Sequence, residues 1–123
     1  MSLAVSAGEF HAMTYECVTR IPYGHVTSYG HIAKLIGYPQ HSRMVGAALK
    51  FLQNDRVPWH RVVRADGSIA ERGDGGAGAS RQAQRLMSEG VPVSEIPLGS
   101  AVTQWRVQSM ASNSGYGWFP TTL

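Results

Sequence analysis

The chain has 123 residues, 43% of them hydrophobic and 15% charged, ordinary values for one globular domain with a core of its own. Its single cysteine, Cys17, excludes an internal disulfide and a cysteine-based zinc site, and its five histidines lack the HxxxH or HxH spacing of a metal site. Formal charge is +3, and from Arg43 to Arg64 there are five cations (Arg43, Lys50, Arg56, Arg61, Arg64) against Asp55 alone, a net +4 that suits nucleic acid or another polyanion.

No apolar run approaches the ~20 residues of a membrane span, and no signal peptide is visible. The expectation is a protein of a reducing compartment: cytoplasmic and nucleoid-associated in a bacterium, nuclear in a eukaryote.

In chain order, Ser6-Ala7-Gly8-Glu9 has the capping-box pattern, and Phe10, Met13, Cys17 and Val18 follow at helical spacing. This predicts a helix from about Gly8 to Thr19, ended by Ile21-Pro22-Tyr23-Gly24. Cys17 lies on its apolar stripe and is expected to be a small core residue rather than a reactive thiol. A second helix is predicted before Gly37, with Thr27 or Ser28 as N-cap and Ile32, Leu35 and Ile36 as its apolar face. Ser42 reads as the N-cap of a third, Arg43 to Leu52, which buries Val45, Ala48, Leu49 and Leu52. Two short capped helices joined by a few residues form a helix-turn-helix pattern, which many helical hairpins share.

A polar loop, Phe51 to Val57, leads to Pro58-Trp59-His60-Arg61. A proline-stiffened turn that carries an indole, an imidazole and a guanidinium suits a pocket as well as a core segment. Val62-Val63 against Ser68-Ile69, turning at Asp66-Gly67, predicts a β-hairpin. Residues 71–78 form a glycine-rich loop without the spacing or the lysine of a phosphate-binding fingerprint. Ser80 to Gly90 is an amphipathic helix with Arg81 and Arg85 one turn apart. After Val91 the chain reads as irregular, with one strand near Val102 to Val107 and a tail over 108–123, for which core cover is the expected role.

Four segments in this order resemble the alkyltransferase-like proteins, relatives of the O6-alkylguanine-DNA alkyltransferases. They are Ile21-Pro22-Tyr23-Gly24-His25-Val26, Thr27-Ser28-Tyr29-Gly30, Ser42-Arg43-Met44-Val45-Gly46 and Val57-Pro58-Trp59-His60-Arg61-Val62. The resemblance covers about Phe10 to Leu98. It implies a mainly α fold with a small β-hairpin: a winged helix-turn-helix-like DNA-binding domain of the alkyltransferase C-terminal type, one domain over 1–123 with its core at about 6–107. True alkyltransferases carry cysteine where Trp59 stands, and its thiolate accepts the alkyl group. An indole has one N–H donor and no soft nucleophilic atom, so no enzyme is expected, and no cofactor or metal.

The resemblance also implies roles. Arg43 would enter the minor groove and fill the gap left by an extruded nucleotide, a task suited to a planar cation. Tyr29 would promote rotation of the phosphate. Thr27, Ser28, Gly46 and Ala47 would lie at the DNA surface, the last two allowing close backbone approach. Trp59, Pro58, Val62, Arg72 and Tyr29 would line the lesion pocket. His60 and Glu89, which correspond to residues that activate the family's cysteine, would survive as a structural hydrogen-bond pair. Asn54 would match a hinge asparagine. The implied partners are double-stranded DNA with O6-alkylguanine and nucleotide excision repair proteins, with the chain acting as a monomer. The competing readings are a residual alkyltransferase or a glycosylase, and a helix-turn-helix regulator.

Overall fold

The computed structural model describes residues 5–50, 52, 56–71, 74–99, 103–111 and 115–123. Helix α1 spans Ala7–Thr19; Ser6 caps it, its hydroxyl accepting from the Glu9 amide at 3.1 Å. Phe10, Thr14, Cys17 and Val18 form the buried face. A two-residue strand, β1 (Thr27–Ser28), leads directly into α2 (Tyr29–Leu35), and the Ser28 hydroxyl caps that helix by accepting from the His31 amide. Gly37 at φ +92° provides the left-handed stop. Helix α3 is Ser42–Lys50, so Ser42 belongs to its first turn; the His41 carbonyl accepts from the Met44 and Val45 amides. The expected cap is therefore displaced by one residue, because the Tyr38–His41 turn already delivers a helical carbonyl.

Helices α1–α3 close on one core of Phe10, Cys17, Val18, Ile21, Ile32, Ala33, Val45, Leu49, Val57 and Val62. A second core gathers Val26, Val63, Ile69, Ala79, Ala83, Leu86, Val91 and Val107. The two meet at strand β2 (Val62–Val63), which follows a single 3₁₀ turn, Trp59–Arg61. Adjacent side chains of a strand point to opposite faces, so Val62 enters the first core and Val63 the second.

The partner of β2 is not the one expected. Val62–Val63 pairs in parallel with β1, Thr27 opposite Val62 and Ser28 opposite Val63. The Asp66-Gly67 turn does form, with Gly67 at φ +88° and the Arg64 amide donating to the Ser68 carbonyl. Its returning limb then leaves β2: the Ile69 amide donates to the Trp105 carbonyl, and Ser68 bridges Arg106. Two fully buried valines need cover on both faces, and an exposed two-strand ribbon cannot supply it.

The antiparallel hairpin lies later, where the sequence reads as irregular. It consists of β3 (Val93–Pro97) and β4 (Thr103–Val107), in register from Val93–Val107 to Pro97–Thr103. Helix α4 (Ala77–Ser88) begins three residues before the expected Ser80, after Gly76 at φ +91°, and Asp74 accepts from the Gly78 amide. That cap turns part of the glycine-rich loop into helix.

The tail docks. The Val26 amide donates to the Tyr116 carbonyl, the Trp118 amide donates to the Val26 carbonyl, and His31 Nε2 lies 2.7 Å from the Pro120 carbonyl oxygen. Trp118 packs on the first core and Tyr116 on the second. Gly117 permits this approach, since a Cβ there would stand 2.1 Å from the Met110 carbonyl oxygen. Gly117→Ala is expected to cost about 1–3 kcal/mol through overpacking. Urea denaturation will show it as a lower midpoint; an unchanged midpoint would mean that the docked tail adds nothing to stability.

Candidate nucleic-acid interface

The parallel β1–β2 pair positions the site. Tyr29 follows β1 directly and Trp59 stands three residues before β2, so the pairing fixes the start of α2 against the Trp59 turn. Helix α3 crosses beside them. Its outer face presents Arg43, Met44, Ala47 and Lys50, all exposed. Gly46 faces the half-buried Tyr29 ring, 3.9 Å from where a Cβ would be.

Two concavities open on this side. One, of about 460 Å³, is lined by Tyr29, Arg43, Gly46 and Arg64 among others. The second, of about 470 Å³, has Leu52, Trp59 and Gly78 as its apolar part and Arg81 and Arg85 from α4 at its edge. Leu49 and Lys50 line both, so the two adjoin at the end of α3. Among the described residues, five cations (Arg43, Lys50, Arg64, Arg81, Arg85) and one acid, Glu71, border the two.

Trp59 is half-buried, stands edge-on to His60 at 87°, and carries the Arg85 guanidinium 5.5 Å above its ring, within cation–π range. Behind it lies a buried polar network centred on Glu89, the C-cap of α4. The Glu89 carboxylate accepts from Arg61 Nε (2.9 Å) and Nη2 (3.0 Å) and from the Gly24 amide (2.9 Å), and His60 Nε2 is 2.5 Å from it. Arg61 Nη1 also donates to the Ile21 carbonyl, and its guanidinium lies 5.5 Å from the Tyr23 ring centroid. The network ties the α1–α2 connection, the Trp59 turn and the end of α4 together.

Burial pushes the Glu89 carboxyl up, but donation from Arg61, the Gly24 amide and His60 outweighs it and holds the group at about 2. Burial lowers His60 below its usual value of 6.5, and the Arg85 and Arg61 charges add to this against the opposing pull of Glu89. A neutral imidazole donating from Nε2 to a carboxylate fits both directions; the tautomer is assigned from this geometry. Gln82, fully buried, donates from Nε2 to the His60 and Val62 carbonyls and holds α4 against the turn from the other side.

The remaining expected site residues divide. Tyr29 borders the first concavity, not the one at Trp59. Val62 is fully buried in the first core and Pro58 is buried, so they support the Trp59 turn from behind and do not line the pocket. Thr27 is fully buried and Ser28 nearly so, with its hydroxyl used as a cap, so neither offers a side chain to DNA; β1 is an interior strand. Arg72 and Asn54 lie outside the described residues. Gln82, Arg61, Arg81 and Arg85 were not assigned to the site from sequence. Only the one-turn spacing of Arg81 and Arg85 was visible there, and it carries no meaning until α4 is placed beside Trp59.

The family model for the DNA binding domain of 6-O-methylguanine DNA methyltransferase matches residues 9–91. Alkyltransferase-like protein 1 of Schizosaccharomyces pombe is 46% identical over 92 residues, covering 74% of this chain and 84% of that protein. The chain belongs to the alkyltransferase-like family. The DNA base-flipping protein of Escherichia coli is 44% identical to this alkyltransferase-like chain over 86 residues, 69% of this chain and 64% of that one.

A crystal structure of S. pombe Atl1 in complex with damaged DNA containing O6-carboxymethylguanine matches with TM-score 0.78 at 36% identity, covering 98% of this chain and all of that one. Mycobacterium tuberculosis OGT in complex with DNA matches with TM-score 0.60 at 33% identity, covering 72% of this chain and 52% of that one. The mainly helical fold with a small antiparallel hairpin is therefore that of the alkyltransferase-like family, and the likeness to Atl1 extends well past residue 91 into the hairpin and docked tail.

Proposed function

We propose that this protein binds double-stranded DNA containing O6-alkylguanine through the minor groove, turns the damaged nucleotide out of the helix and holds it beside Trp59 without altering it. The carrying observation is that an indole with no nucleophilic atom lines a cation-bordered concavity that adjoins, at Leu49 and Lys50, the one beside the basic face of α3. In this reading α3 lies along the groove, Arg43 occupies the space of the extruded base, and Tyr29 crowds the neighbouring phosphate. Ala47 leaves that helix face low enough for close approach. The bound site is then flagged for nucleotide excision repair, the outcome that suits a protein that holds a lesion without chemistry.

A residual alkyl transfer through Cys17 is disfavoured by its setting. The thiol is fully buried, and burial pushes it up to about 11, partly offset by Arg20, so it is protonated near neutral pH. A major-groove regulator is disfavoured by the outer face of α3. Arg43, Met44, Ala47 and Lys50 include no Asn or Gln for base-edge readout.

Fluorescence anisotropy with O6-methylguanine and unmodified duplexes tests the proposal. The lesion duplex is expected to bind more tightly, and both affinities should fall with salt. Trp59→Ala should reduce the preference by about 5- to 150-fold, the size of one base–aromatic stack. Equal affinity of the native protein for the two duplexes would leave a generic minor-groove binder.

A further inference from the structure

The Trp59 concavity lies between two separately packed bodies. Leu49, Leu52 and Trp59 on one wall pack with the first core, whereas Gly78, Arg81 and Arg85 on the other belong to α4. That helix buries Ala79, Ala83 and Leu86 in the second core. Hydrophobic burial holds each wall to its own core, but it is non-directional and does not by itself fix the gap between the walls. Hydrogen bonds, with defined lengths and angles, can fix it.

Two polar ties run from α4 to the Trp59 turn. One is at the C-cap, where Glu89 accepts from Arg61 and meets His60. The other is Gln82, about two helical turns earlier. Its Nε2 donates to the His60 carbonyl at 3.1 Å and to the Val62 carbonyl at 2.9 Å, so it grips the turn just past the indole. Gln82 is fully buried and shares one face of α4 with Gly78, Arg81 and Arg85, at spacings of three and four residues. It therefore anchors the wall itself, not a remote part of the helix. The concavity of about 470 Å³ is in the lower half of the range for small-molecule sites, so a small change of width changes what fits.

We infer that Gln82 is a positioning residue that sets the width of the Trp59 concavity and, with it, the size of O6-substituent that the site accepts. This rests on the reading of Trp59 as the lesion platform. Trp59 takes the base; Gln82 fixes how far α4 stands from it.

Gln82→Met keeps the length of the side chain and removes both donated hydrogen bonds. Affinities are measured by fluorescence anisotropy for duplexes of one sequence containing guanine, O6-methylguanine or O6-benzylguanine, at a temperature where the protein is folded by circular dichroism. The ratio of the two lesion affinities cancels the folded fraction and every phosphate contact, which are all that a merely structural role would change. In Gln82→Met that ratio should move about tenfold toward the benzyl adduct, the low end of what one methylene is worth in a fitted apolar pocket. Gln82→Asn, whose amide falls one methylene short of the two carbonyls, should move it the same way by less, and it carries the test if Gln82→Met does not fold. An unchanged ratio, or a shift toward the methyl adduct, would overturn the assignment to Gln82 and leave the damage-reading function standing. Failure of the native protein to prefer either lesion over guanine would remove the platform itself, and the proposal with it.

Discussion

Replacing Glu89 with alanine is expected to cost about 3–5 kcal/mol of folding stability, the usual penalty for removing one member of a buried charge network. The carboxylate is 6% exposed and accepts from Arg61, His60 and the Gly24 amide. Its loss strands the Arg61 guanidinium, 14% exposed, and the His60 imidazole, 3% exposed, without their acceptor. Glu89→Gln, which keeps one acceptor oxygen, should lose less.

The same network sets the pH response. Glu89 is held at about 2 in the fold against an ordinary 4.5, so its contribution is full above 4.5 and is lost as pH falls toward 2. His60 is lowered from 6.5, so the folded state resists its protonation, and that contribution begins to fall once pH drops below 6.5. Both act in the same direction, and stability should decline on the acid side. Guanidinium denaturation at pH 7 and near pH 3 should show the native protein losing part of its advantage over Glu89→Ala at the lower pH. A variant equal in stability to the native protein at pH 7 would show that the network contributes nothing.

Arg43→Ala is expected to weaken binding to a lesion duplex by about 30- to 1,000-fold, the range of a central interface arginine. The side chain projects from the first turn of α3, is exposed, and lines the first concavity together with Tyr29. Among the described residues it has no hydrogen bond or ion pair that its loss would break, so thermal denaturation should be little changed. If Arg43 acts only as a phosphate contact, Arg43→Lys will retain most of the affinity. If it fills the space of an extruded base, lysine will not substitute, because a compact ammonium lacks the planar head and the fork of donors. Retention of full affinity by Arg43→Ala would remove the extrusion role.

What could be read from the sequence followed the range of the interactions involved. Helices α1, α2 and α3 were legible because their signals are local: Ser6 and Ser28 as caps, Gly37 as a stop, and apolar residues at helical spacing. The Asp66-Gly67 turn was legible for the same reason. The pairing of Val62–Val63 with Thr27–Ser28 was not, because two-residue strands carry no periodicity and a parallel partner is chosen by the packing of α1–α3. The β3–β4 hairpin was hidden by residues that are mostly half-buried and so do not alternate cleanly. Asp74 and Gly76 looked like loop residues until Asp74 proved to cap α4.

The site divided along the same line. Trp59, Arg43 and Tyr29 stand in recognisable motifs. Arg61 stands in the same motif as a pocket cation, but its partner Glu89 lies far along the chain and is brought to it only by α4, and Gln82 becomes visible only as the donor that holds the Trp59 turn to α4. Thr27 was expected at the DNA and Val62 in the pocket because motif neighbours were treated as site neighbours, whereas both residues of β1 and of β2 are buried between two cores.

Recognition without repair is the central claim, and one labelled duplex tests both halves of it. DNA carrying a tritiated O6-methyl group is mixed with excess protein, the retarded complex is isolated on a native gel, and the label in the complex is then partitioned among protein, free base and DNA. The expected result is a retarded complex whose label is recovered entirely in the DNA. Label on the protein would show a transferase, label in free base would show a glycosylase, and either would contradict the account.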